Sequence, residues 1–298
     1  MPMTEAEIIR ACRLDEQGII PGKSENAGDF FARASALEKF REQVRNELKS
    51  GKCEVLEGVT VKAKDKISPT LLQPGYELTE KLYGFAAVSV PGFFLTGKVG
   101  LLWGGCCIGN DDGTRTVFLL RNIFRKREKW WCYHRTELAA HELCHAARFA
   151  LNDPEPEEFF AYQTSERKLR RYLGNCFIYT YDALGFLLPV LFLPAAQYIR
   201  LFVYPDLRLW PFWLLAAVYP VFLLCRNQKT RFTVFRAKKK LAELYPGREM
   251  AILFRSTVKE MKSIGRTSSA GELEQLLKQW AQTSVRWQVI LYRFTKSS

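Results

Sequence analysis

The chain has 298 residues, enough for a sizeable core in one large domain or two small ones, and a formal charge of +13. Hydrophobic residues make up 48% of it, so the charge does not describe a uniformly soluble basic protein, and no nucleic-acid-binding motif accompanies it. Eight cysteines without regular spacing or a CxxC pair argue against a disulfide scaffold, and the polar, acidic start MPMTEAEIIRACRLDEQG is unlike a signal peptide.

Residues 4–14 and 29–50 carry apolar positions at helical spacing, the second run closing on a glycine, and predict two helices. KCEVLEGVTVKAK alternates like a strand. Residues 85–108 are apolar but interrupted by Pro91, Lys98 and several glycines, which predicts buried strands rather than a membrane span. LLWGGCCIGNDDGTRTVFLLRNIF reads as a hairpin turning at Asn110-Asp111-Asp112-Gly113. The basic stretch RKREKWW then leads into a helix from about Trp131 to Leu151. Asn152-Asp153-Pro154 ends that helix, and Pro156 suits the first turn of another, expected to run on through ERKLRRY.

Residues 174–199 contain one acid, Asp182, and no base, while residues 209–225 carry no charge. Each reaches or approaches the roughly 20 apolar residues that cross a bilayer, with Trp210, Trp213 and several tyrosines suited to its interfaces. A two-helix transmembrane hairpin is therefore expected over residues 173–226, with the lipid bilayer as partner. Bases flank it on both outer sides: Arg167, Lys168, Arg170 and Arg171 before, then Arg226, Lys229, Arg231, Arg236, Lys238, Lys239 and Lys240 after. The connecting loop offers only Arg200 and Arg208, so both termini are expected to face the cytoplasm. The basic clusters stop transfer and also suit anionic headgroups. Asp182 reads equally well as a functional intramembrane acid or as an interfacial residue. Residues 227–298 are expected to form three or four helices, with breaks at Tyr245-Pro246-Gly247 and Ile264-Gly265.

The chemistry concentrates in HELCH, residues 141–145. All three histidines of the chain, His134, His141 and His145, lie in this neighbourhood. Residues four apart share a helix face, so His141 and His145 can turn toward one Zn²⁺ with Glu142 beside them. A carboxylate from the next helix, Glu157 or Glu158, can supply a third ligand and leave a position open. His134 is expected two turns earlier on the same helix, about 10 Å along the axis and too far to share the metal. A solvated polar face accounts for the same stripe without any metal. Cys144 points to another face and reads as small core filler; Cys106 and Cys107 read as structural.

The arrangement resembles the gluzincin-type zinc metallopeptidases, in which HExxH lies on one helix and a glutamate on the next completes the site. Within that family it is similar to a compact group whose glutamate helix carries E-x-F-A-Y, here Glu158-Phe159-Phe160-Ala161-Tyr162. The resemblance covers roughly residues 114–165. It implies an α+β, zincin-like catalytic domain over residues 1–172, with a small sheet, motif helix and glutamate helix. It further implies His141, His145 and Glu158 as zinc ligands, Glu142 as general base, and hydrolysis of a peptide or protein substrate. His134, Tyr162 and Arg148 are candidates to steady the oxyanion. On the same resemblance TVFLL either pairs with an extended substrate or lies inside the sheet. The separation between His145 and Glu158 is shorter than in secreted members.

Two other readings compete. Cleavage within the bilayer is opposed by the charge around the motif. A non-catalytic membrane adaptor holding structural zinc requires a fourth protein ligand.

Overall fold

The computed structural model describes residues 2–56, 58–95, 103–110 and 112–295. It is mostly helical, with three small sheets among the described residues. In chain order the elements are α1 (Glu5–Glu16), α2 (Ala27–Glu47), β1 (Lys52–Leu56), β2 (Val59–Lys62), α3 (Pro69–Tyr83), β3 (Gly92–Leu95), β4 (Gly105–Gly109), β5 (Thr116–Arg121), β6 (Lys129–Trp130) and β7 (Tyr133–His134). Then follow α4 (Arg135–Arg148), α5 (Pro154–Tyr162), α6 (Lys168–Leu173), α7 (Thr180–Phe202), α8 (Trp210–Leu244), α9 (Glu249–Phe254), α10 (Val258–Ile264), α11 (Ala270–Thr283) and α12 (Val285–Thr295).

The first helices begin where their caps say they should. Thr4 and Glu7 form a reciprocal capping box on α1, and the Asn26 side chain accepts the Asp29 N–H at the head of α2. KCEVLEGVTVKAK is two antiparallel strands, β1 and β2, rather than one. Gly58, at φ +75°, permits the reversal that a side chain would resist.

The sheet that matters for the site has the order β3-β5-β4, with β3 parallel and β4 antiparallel to β5. β5 is the central strand and is buried from Thr116 to Leu120. Alternation divides its side chains between two layers. Val117 and Leu119 pack with Phe40, Val44, Val55 and Phe93, while Phe118 and Leu120 belong to the main core with Leu138, Leu143 and Phe160. The expected β4–β5 hairpin is present: Gly109 opposes Thr116, and the Asn110 side chain accepts the Arg115 N–H. Asp111 and residues 96–102, Lys98 included, lie outside the described residues.

The motif helix starts later than its periodicity suggests. Trp130 and Tyr133 pair across a tight hairpin with their rings stacked at 6.2 Å, and Arg121 caps the Trp130 ring at 4.2 Å. His134 therefore belongs to β7, not to the helix. α5 starts at Pro154 and stops at Tyr162, so the expected continuous helix is broken into α5, α6 and α7. The stop has a cause: the Glu137 carboxylate accepts the Ser165 hydroxyl and the Glu166 N–H, and folds the chain back onto α4.

α7 and α8 form an antiparallel pair, with Gly185 allowing the Tyr219 ring to approach. Tyr181–Phe202 is long and apolar enough to cross a membrane, at a mean hydropathy of 1.5 and with 6% of its most apolar stretch buried. It is the one such helix among the described residues. α8 is apolar only in its first half and runs on for 35 residues into the basic segment. There Val234, Ala237 and Leu241 enter the main core beside Phe254, Ile264 and Trp287. Residues 227–295 are thus built into the same core as the motif helix. α1 meets the last helices as well: buried Asp15 pairs with Arg255 and Arg293.

Candidate metal centre

His141 and His145 lie one turn apart on α4, and α5 packs across that face. Their Nε2 atoms are 3.1 Å apart. Glu158 brings one carboxylate oxygen to 3.9 Å from His141 Nε2 and the other to 3.6 Å from His145 Nε2. One donor atom from each residue falls within 4.8 Å of the others. Tetrahedral zinc with bonds of about 2.1 Å separates its ligand atoms by roughly 3.4 Å, so the donor set fits such an ion. Two imidazole nitrogens and one carboxylate oxygen also suit its intermediate softness.

Glu157 and Glu158 divide the work between them. Glu157 accepts from His145 Nδ1 at 2.7 Å, behind the ring. That contact orients the imidazole and leaves Nε2 free to face Glu158. His141 is steadied by a backbone hydrogen bond to Ala161 and by the edge of the Tyr162 ring, whose centroid lies 4.7 Å from its own.

Burial dominates the electrostatics. It pushes His141 well below the usual imidazole range, helped by the charges of His145 and Arg170. Burial acts on His145 in the same direction, but the Glu157 hydrogen bond and the Glu158 and Glu142 charges outweigh it and raise that ring to about 9. Burial also lifts Glu142 to about 7, with Glu158 adding to the rise while His145 and a Cys107 backbone hydrogen bond oppose it. Glu158 is raised by burial too. Three carboxyl groups so gathered around two imidazoles are a counter-charge for a cation.

The cluster opens into a cleft of about 380 Å³. One wall is β4, through Gly105, Cys106 and Cys107; the other rim is formed by Pro154 and Ile178. Glu142 reaches across to the β4 backbone. A Cβ on Gly105 would fall 2.8 Å from the Leu119 carbonyl and 3.3 Å from Glu142 Oε1, so glycine is what lets strand and carboxylate approach.

The other expected residues are distributed differently. TVFLL is the central strand β5 and offers no free edge; the outer strand facing the cleft is β4. Neither His134, in β7, nor Tyr162, at the end of α5, is among the residues lining the cleft. Arg148 is fully buried and turns away, donating to the Phe254 and Ser256 carbonyls. Cys144 is buried in the core as expected, whereas Cys106 and Cys107 line the cleft. Asp182 has a local explanation: it accepts the Ile178 and Tyr179 N–H groups at the head of α7 and pairs with Arg226 at 2.5 Å.

One pair escaped the sequence reading. Glu137, a turn before His141, holds Arg170 at 3.4 Å, and Arg170 covers the Tyr133 ring and lies 6.0 Å from that of Tyr162. Glu137 sits on the same helical stripe as the histidines, which was its only signal. Comparison with protein-family models, with curated proteins and with solved structures finds no match to this chain.

Proposed function

We propose that this protein is a membrane-anchored zinc metallopeptidase of the gluzincin type, with its site on the cytoplasmic face. The observation that carries the reading is the open donor set: His141, His145 and Glu158 converge, and among the described residues no fourth His, Cys, Asp or Glu joins them. A structural site closes with four protein ligands, whereas a catalytic one keeps a position for water or substrate.

His141 Nε2, His145 Nε2 and a Glu158 oxygen would hold the ion, with Glu157 fixing His145 from behind. Zinc bound there supplies Lewis acidity, which makes water acidic near neutral pH and polarises a carbonyl. Glu142 accepts the proton of the attacking water and delivers it to the departing amine. The water's OH joins the acyl carbon, the C–N bond breaks, and acid and amine leave. The β4 edge receives the substrate as an added strand and presents its carbonyl to the cleft. Tyr162, whose ring packs against His141, is the residue we assign to steady the developing oxyanion, ahead of His134 on the neighbouring hairpin. α7, paired with the apolar half of α8, anchors the chain, and the Lys and Arg residues at both outer ends keep the domain on the cytoplasmic side.

Zinc per chain in detergent-purified protein tests the reading. One zinc is expected in wild type and Glu142→Gln, and none in His141→Ala or Glu158→Ala. Peptide cleavage should vanish in Glu142→Gln although its zinc stays. Folded wild type without zinc would sink the metalloenzyme reading. Zinc without cleavage of any peptide would leave the non-catalytic adaptor.

A further inference from the structure

The cleft and the foot of the apolar helix share a wall. Ile178 lines the cleft with Gly105, Glu142 and Glu158. It also stands two residues before Thr180, the first residue of α7, which is at most about 7 Å of extended chain. The apolar span begins at the very next position, Tyr181.

This junction is braced. Arg226 donates to the Asp182 carboxylate and, at 2.7 Å, to the Cys176 carbonyl. Asp182 in turn accepts the Ile178 and Tyr179 N–H groups at 2.8 Å. Asn227 donates to the Tyr172 carbonyl at 2.7 Å. The turn Gly174–Cys176 packs directly on α5, the helix that carries Glu157 and Glu158. These contacts tie the head of α7 and Ile178 to the helix that carries Glu158. The Asp182–Arg226 pair marks the wet side of the boundary, since a charged pair is costly at greater depth.

We infer that the site acts on chains held at the membrane surface: a peptide or protein tethered to the same bilayer, cut a few residues from where it leaves the lipid. This rests on the hydrolase and anchor readings above. A cleft fixed at headgroup height meets such a segment at high effective concentration and at the right level. A free peptide has neither advantage, and a loop far from its own anchor has only the first.

The test uses the full-length protein in phosphatidylcholine vesicles and a randomised peptide library in three forms, read by mass spectrometry. One form is free, one carries two acyl chains about four residues from the randomised window, and one carries the same anchor behind a Gly/Ser spacer of about 25 residues, whose mean span is near 28 Å. The short-tethered form should be cut at least about tenfold faster than both others. Equal rates for short and long tethers, or for free and tethered forms, would overturn the inference and leave the hydrolase reading standing. If zinc-loaded wild type cuts none of the three and matches Glu142→Gln, the hydrolase reading falls and this inference with it.

Discussion

Glu157 and Glu158 are adjacent in sequence, about 100° apart around α5, and meet opposite sides of one imidazole. The E-x-F-A-Y resemblance pointed to Glu158, but helical spacing could not choose between them, because the choice depends on how α5 is rotated against α4. The distances separate the roles and give an asymmetric expectation. Titration against a competing chelator should show Glu157→Ala holding zinc about 10- to 100-fold more weakly, with Glu158→Ala holding none. Gly105 makes a second residue-scale case. Its missing Cβ lets β4 close on Leu119 and Glu142, so Gly105→Ala should destabilise the protein by about 1–3 kcal/mol through overpacking. A fall in the denaturation midpoint would register this; an unchanged midpoint would show that the strand gives way freely. What could not be read at this scale was Arg170. Its place over Tyr133 and beside Glu137 is created by α6 folding back, and no local period encodes that return.

At the scale of elements, α4 and α5 were legible because HELCH and EEFFAY each carry helical spacing with prolines between. The start of α4 was not, since the β6–β7 hairpin occupies residues that continue the helical pattern. α3 was also hidden: no element was expected over residues 69–83, where Pro74 lies inside the helix and Gly75 lets it pack close on Ala139 of α4. The joint between α4 and α5 is gripped from outside by α9 and α10. Arg148 binds the Phe254 and Ser256 carbonyls, and Asp153 accepts the Val258 N–H at 2.6 Å. Behind that grip, Glu260 takes both Arg286 nitrogens at 2.9 Å and the Trp287 indole N–H. Burial works against the Glu260 charge, but Arg286 and the Thr257 and Trp287 donors outweigh it and hold the carboxyl below its ordinary 4.5. A depressed folded-state pKa contributes stability above the unfolded value, lost as pH falls through the folded one. Melting temperatures measured from pH 6 downward should therefore drop more steeply below about 4.5 in wild type than in Glu260→Gln. Parallel curves would remove this network from the account of acid stability.

For the whole molecule, the sequence divides at residues 173 and 227 by composition, yet the core does not follow the second boundary. Val234, Leu241, Phe254, Ile264 and Trp287 share one apolar cluster with Leu138, Leu143 and Phe160. Composition marks where lipid-compatible segments stop; it says nothing of which helices return to the same interior. A chain ending at residue 226 should consequently fail to reach a protease-resistant state in detergent, since it would leave that cluster open to water. A compact, resistant fragment of residues 1–226 would show two independent units instead. The pairing of Asp15 with Arg255 and Arg293 carries a further consequence, one of timing. α1 leaves the ribosome well before α9 and α12, and its fully buried acid has no partner until they have been made, because an unpaired charge does not stay buried. Contacts between residues so far apart in sequence form late. On the proposed reading, a nascent chain can seat α7 in its bilayer while still unable to close its core, so cleavage begins only once α12 has been made and has paired with α1.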